Sequence, residues 1–160
     1  MIIEYNEKYI EEVKDLMVEL EEYIVSIDKD NLDIVSEEYR EKYVDYMLED
    51  VRKNNGKVLL ALENEKVVGI IVGTIKEYSD WDHLDYKCPK TGNISELVVT
   101  KNSRAKGTGK KLIAEMEKYF KDCGCEYVYL DVFAYNENAI NFYNKNNYHA
   151  RMHGLIKKID

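Results

Sequence analysis

A chain of 160 residues with 45% hydrophobic and 34% charged residues has the size and balance of one soluble globular domain spanning 1–160. No apolar run approaches the ~20 residues of a membrane span, and the start, MIIEYNEKYIEE, lacks the basic region and apolar block of a signal peptide, so a cytoplasmic protein is expected. The three cysteines, Cys88, Cys123 and Cys125, have spacings that suit neither a disulfide framework nor a metal site, and they read as small packed thiols.

Apolar positions at Ile10, Val13, Leu16 or Met17, Leu20 and Ile24 predict a helix over 7–27. A second helix is predicted from Ser36, the expected N-cap, through Tyr39, Tyr43, Tyr46, Met47, Leu48 and Val51 to a stop at Asn54-Asn55-Gly56. KVLLALENEKVVGIIVGTI then reads as two strands joined at Glu63-Asn64-Glu65. Residues 78–92 form a polar and aromatic loop with the only Trp and the only Pro. NISELVVT is the next strand, followed by a helix over Gly107–Cys123 and the strand EYVYLDV. A helix over Asn136–Asn146 and a closing strand in YHARMHGLIKKI complete the predicted order β-α-α-β-β-β-α-β-α-β, an α/β domain.

The net charge of −8 is unevenly spread: residues 1–50 hold 17 acidic and 5 basic side chains, whereas Lys101 to Lys111 contains five cations and no acid. That basic stretch includes RAKGTGKK, residues Arg104 to Lys111. A P-loop would need glycine at Arg104 and a hydroxyl at Lys111, and a dinucleotide fingerprint would need glycine at Leu112; both are excluded. What remains is a strand running through a glycine-containing loop into an amphipathic helix. Free amides at such a helix start make an anion site, and Arg104, Lys106, Lys110 and Lys111 add charge complementary to phosphates. A purely structural role is disfavoured, because cations there oppose the helix dipole at ~0.3–1 kcal/mol each. Nucleic acid is a poor match for a lone basic patch on an acidic domain without an aromatic platform. A small phosphorylated cofactor fits better.

Arg104-Ala105-Lys106-Gly107-Thr108-Gly109 resembles the R/Q-x-x-G-x-G/A signature of the GCN5-related N-acetyltransferase superfamily. Glu96-Leu97-Val98-Val99 is similar to that family's central strand, and Asn136-Glu137-Asn138-Ala139-Ile140-Asn141-Phe142-Tyr143-Asn144-Lys145 to its N-x-x-A-x-x-F-Y-x-K segment. The resemblance implies a mixed, mostly antiparallel central sheet with helices on both faces and splayed central strands that admit acetyl-CoA, with no metal. It implies pantetheine contacts along Leu97, Val98 and Val99, a pyrophosphate cradle over Arg104, Ala105, Lys106, Gly107, Thr108, Gly109 and Lys110, and cofactor contacts from Asn136 and Tyr143. Asn136 also reads as the N-cap of its own helix.

The chemistry so implied is amine attack on a thioester through a tetrahedral intermediate, which calls for oxyanion stabilisation and proton transfer. Tyr143 stands at the family's general-acid position, though it also reads as a packed aromatic beside Phe142. Glu96 and Asp131 are both candidates for the base, and strand alternation places Ile94, Glu96 and Val98 on one face. Where the family carries two glycines this chain has Ala105, expected to serve because it is small, and Asn147, expected at a left-handed helix end. The acidic first helices and Asp80, Asp82 and Asp85 beside Trp81 and Tyr86 suit a cationic amine acceptor, with cation–π contacts available and His83 able to line the acceptor side. Homodimers are frequent in the family. A non-catalytic CoA-binding module is the alternative reading, and a nucleotide-phosphate or nucleic-acid binder a third.

Overall fold

The computed structural model describes residues 1–159. Its elements, in chain order, are β1 (Ile2–Glu4), α1 (Ile10–Ile27), α2 (Tyr39–Lys53), β2 (Lys57–Glu63), β3 (Lys66–Ile75), β4 (Thr91–Val99), α3 (Thr108–Asp122), β5 (Tyr127–Leu130) and α4 (Glu137–Lys145). The five strands form one sheet in the order β1-β2-β3-β4-β5, antiparallel except for the parallel β4–β5 pair. No helix among the described residues is long and apolar enough to cross a membrane.

Each face of the sheet carries its own apolar layer. On one side Val13, Leu16 and Met17 of α1 and Val44 and Met47 of α2 pack on Val58, Leu60, Ile70, Val72 and Val98. On the other, Leu112, Ile113, Met116 and Phe120 of α3 pack on Leu59, Ala61, Ile71 and Ile94, with Phe142 and Tyr143 of α4 alongside. Because strand side chains alternate, dense apolar runs such as VLLAL and GIIV supply both layers at once.

Two bulges interrupt that alternation. In β4 the pairing steps from Val72↔Glu96 to Gly73↔Ile94, so Ser95 is an extra residue. The consequence corrects the sequence expectation: Ile94 faces α3, whereas Glu96 and Val98 face α1 and α2. An inserted residue reverses the facing of everything beyond it. The β4–β5 ladder also ends there, at Ile94↔Leu130. Residues 95–99 of β4 therefore have a partner on the β3 side alone, and the sheet is open between β4 and β5.

Three other expectations change. Helix α2 begins at Tyr39, whose amide donates to the Ser36 carbonyl (3.1 Å), and Ser36 makes no side-chain cap. Tyr46 points to solvent, with Val44 taking the core position instead. The closing strand over 148–159 is absent: from His149 to Ile159 no backbone hydrogen bond forms among the described residues, and Leu155 is 96% exposed. Alternation and apolar content alone do not make a strand: the segment pairs with no neighbour although the outer edge of β5 is unoccupied among the described residues.

The close approach of α3 to the sheet requires glycine at Gly92. A β-carbon there would lie 2.3–2.5 Å from three ring atoms of Phe120, which is itself buried. The ring base cannot swing away, so Gly92→Ala overpacks the core and should cost about 1–3 kcal/mol, lowering the melting temperature by several degrees; a thermal melt unchanged by the substitution would contradict this packing.

Candidate active site

The open edge of β4 leads directly to the glycine-containing loop. Val99 pairs with Gly69, and the Thr100 amide donates to the Val68 carbonyl at 2.9 Å. In an antiparallel ladder this makes Val98 and Glu96 the residues bonded to β3, so the backbone groups of Leu97 and Val99 turn outward to the opening. Their side chains pack against the α3–α4 layer, while Val98 lies in the α1–α2 layer.

Beyond Val99 the chain makes a short 3₁₀ turn at Lys101–Ser103 and enters α3 at Thr108. Ala105 and Gly107 both adopt left-handed conformations, with φ of 62° and 80°. Alternation of this kind turns successive amides to one side, the arrangement of an anion-binding nest. Among the described residues the amides of Ala105, Lys106, Gly107, Thr108, Gly109 and Lys110 donate to no acceptor in the chain. The space over Gly107 is open, whereas a β-carbon at Gly109 would come 3.2 Å from the Phe142 ring. The loop is moored from behind, where buried Ser103 donates to Glu63 at 3.0 Å and Lys106 lies 3.5 Å from the same carboxylate.

Arg104 behaves differently from the lysines. Its Nε donates to the Val99 carbonyl at 2.9 Å, its guanidinium lies 3.6 Å from Glu19, and it stacks over Tyr23 with 5.8 Å to the ring centroid. It is thus engaged with the end of β4 and with α1. Lys110 and Lys111 are exposed and have no ion-pair partner among the described residues.

Asn136 caps α4, its Oδ1 accepting from the Ala139 amide at 3.1 Å, and Tyr23 of α1 donates to the same oxygen at 3.4 Å. The far end of α4 closes with Tyr148 N–H to the Tyr143 carbonyl and Asn147 N–H to the Asn144 carbonyl. Asn147 sits at φ 66° and the Tyr143 and Tyr148 rings meet at 5.7 Å. That is the paired hydrogen bonding and apolar contact of a Schellman motif, and it holds Tyr143 in place.

Glu96 and Tyr143 belong to opposite faces of the sheet, Glu96 to the α1–α2 side and Tyr143 to the α3–α4 layer. Burial pushes the Glu96 carboxyl up to about 7; the hydrogen bond from the Tyr43 hydroxyl opposes the rise and the Glu21 charge adds to it. Tyr143 is pushed up to about 12, first by burial and then by the Glu96 charge. Tyr143 thus senses the Glu96 charge, a phenol that keeps its proton beside a carboxyl that titrates near neutral pH. Asp131, the other candidate base, is exposed directly after Leu130, which pairs with Ile94, and its side chain accepts from Tyr129 at 2.6 Å.

The residues missed by sequence reasoning are Tyr43, Tyr39 and Tyr23. Tyr39 and Tyr43 are four apart, so they share a helix face, yet that spacing equally describes a core stripe. The acidic surface is also less available than its composition suggests. Arg40 and Lys14 engage Glu11, Asp15 and Glu41, Glu19 faces Arg104, and Asp82 accepts from Ser79. Among the described residues no group of His, Cys, Asp and Glu side chains is placed to hold a metal ion.

Comparison with known proteins agrees with this architecture. The description "Acetyltransferase (GNAT) family" matches residues 18–148, and the chain belongs to that family. No curated protein sequence matches. Among solved structures, the tetramutant of BH1408 protein from Bacillus halodurans is similar over 99% of both chains, with a TM-score of 0.85 at 20% identity. Aminoglycoside N-acetyltransferase AAC(6')-Iy in complex with CoA is similar over 100% of this chain and 99% of its own, with a TM-score of 0.70 at 13% identity. AAC(6')-IG from Acinetobacter haemolyticus has a TM-score of 0.70 at 18% identity over 100% and 99% of the two chains.

The left-handed φ at Ala105 shows that small size is not the whole requirement there. An L-residue in this conformation costs about 1–2 kcal/mol, part of which glycine returns as unfolded-chain entropy. Ala105→Gly should raise stability by about 0.5–1 kcal/mol, a melting temperature higher by ~1–4 °C; a lower melting temperature would show the loop to be otherwise arranged.

Proposed function

We propose that this protein is a cytoplasmic N-acetyltransferase that moves an acetyl group from acetyl-CoA to a primary amine. The observation that carries the reading is the unpaired edge of β4 at Leu97 and Val99 running into six unpartnered amides at Ala105–Lys110. An extended pantetheine arm needs outward strand groups, and the pyrophosphate at its end needs clustered N–H donors. The two meet here in the right order. A neighbour of the same fold is described with CoA bound.

Acetyl-CoA supplies an activated thioester carbonyl. Around it, Glu96 in its ionised form accepts a proton from the amine as the nitrogen forms its bond to the carbonyl carbon. Tyr143 then donates its hydroxyl proton to the sulfur as the carbon–sulfur bond breaks. Lys110 and Lys111 add positive charge beside the phosphate cradle. Arg104 donates to the Val99 carbonyl, whose second lone pair is left for the pantetheine. Asn136 presents its amide nitrogen from the α4 cap.

We further propose a cationic acceptor. Several carboxylates near α1 and α2 are neutralised by Arg40 and Lys14, but Glu21 faces the Glu96 side of the cleft, and Asp80 and Asp85 flank the exposed Trp81. Two neighbours of this fold are described as aminoglycoside acetyltransferases, whose substrates by that name are cationic.

Thiol release from acetyl-CoA against a panel of primary amines is the test. Polyamines and aminoglycosides should outpace neutral and anionic amines; the reverse ranking would sink the acceptor assignment. Tyr143→Phe should lower kcat by about 10²–10⁴-fold with acetyl-CoA affinity retained. Full turnover by that variant would remove Tyr143 from the mechanism.

A further inference from the structure

Glu96 is an unusual carboxylate for its surroundings. It is partly buried beside Val72 and Val98, and no cation is among the groups that act on it. A carboxylate kept at this depth for structure alone is ordinarily paired with Arg or Lys. Here the group in contact is a tyrosine hydroxyl from α2, a second carboxylate from α1 adds a like charge, and the charge of Glu96 is felt in turn by a tyrosine from α4. Tyr43 donates to Oε1. The Oε2 atom makes no hydrogen bond among the described residues and is the oxygen left for a substrate proton.

Tyr43 is in turn fixed from the other side. Tyr39, one turn earlier on α2, stacks on it with ring centroids 4.6 Å apart and planes 16° from parallel. The Tyr39 hydroxyl donates to Glu21 at 3.4 Å. The line Glu96–Tyr43–Tyr39–Glu21 thus joins β4 to both helices that cover its face, and each member restrains the next.

We propose that Tyr43, braced by Tyr39 and Glu21, is the positioning residue for Glu96 as the base that receives the amine proton. This rests on the acetyl-transfer reading above. In the step, the lone pair of the neutral amine forms the new N–C bond, the N–H bond breaks with its electron pair left on nitrogen, and the proton goes to Oε2. Tyr43 occupies Oε1 throughout, which keeps the carboxylate from rotating both oxygens away from the cleft and directs Oε2 towards the substrate. It also sets the working pH. As a donor to the anion, Tyr43 favours ionisation, whereas Glu21, a like charge, disfavours it.

These opposed influences give a test that a merely structural network would not pass. The groups facing Glu96 are Tyr43 and Tyr39 from α2, Glu21 from α1 and Tyr143 from α4. With wild-type protein, kcat/KM for the amine should rise with pH through about 7 as Glu96 ionises. In Tyr43→Phe the lost hydrogen bond to a charged group should move that limb to higher pH by about one unit or more. In Glu21→Gln the same limb should move to lower pH. Tyr39→Leu, which frees the Tyr43 ring, should move it in the Tyr43→Phe direction and keeps the test open if Tyr43→Phe fails to fold.

Glu96→Gln separates the role of the base from that of the residues that position it. If it abolishes the limb while Glu21→Gln and the tyrosine variants leave the limb unmoved or move it the same way, the positioning network is overturned and Glu96 remains the base. If Glu96→Gln keeps both the limb and the rate, the base assignment itself falls, and the network with it. KM for acetyl-CoA should stay constant across the series.

Discussion

Ser95 is one residue too many in β4, and the site follows from where that residue goes. Because it has no partner on β3, the strand reverses its facing between Ile94 and Glu96 and bends where the parallel ladder with β5 stops. One displaced residue does two things at once. It turns a carboxylate from the α3 side to the α1–α2 side, and it leaves five residues of strand with an unpaired edge. Without the bulge, Glu96 would share the α3 face with Ile94, away from Tyr43.

The electrostatics build on that geometry. A half-buried carboxyl with no cation paired to it among the described residues titrates near neutral pH, and a half-buried phenol that senses its charge keeps its proton. Opposite roles for two acidic groups arise when their surroundings hold their pKa values apart. At the other end of the cleft the polarity reverses: amides at the start of α3, free of acceptors, create a positive pole with no side chain committed to it. The basic side chains are secondary, since Arg104 is turned to Val99 and Glu19, and Lys106 to Glu63.

Much of this is legible in the amino acids, and the exceptions have physical causes. The helix-start loop, the Asn136 cap and the left-handed Asn147 follow from local chemistry, where residue type and spacing carry the information. The facing of Glu96 does not, because a bulge depends on pairing with β3 and no residue type in ISELVV announces it. The Tyr39–Tyr43 pair is visible as an i,i+4 spacing but not as a brace, since its partners Glu21 and Glu96 are distant in the chain. The C-terminal residues 149–159 show the converse: local strand character that finds no hydrogen-bonding partner forms no strand. Acidity along α1 and α2 overstates the free negative charge, because Arg40 and Lys14 sit within it.

One continuous line, from the outward edge of β4 to the amides opening α3, is the proposed seat of the cofactor. Amide hydrogen exchange measured with and without acetyl-CoA tests it residue by residue. Exchange should slow at Leu97 and Val99 and across Ala105–Lys110, with β1 and β2 unaffected; acetyl-CoA binding that protects other amides and leaves these unchanged would place the cofactor elsewhere.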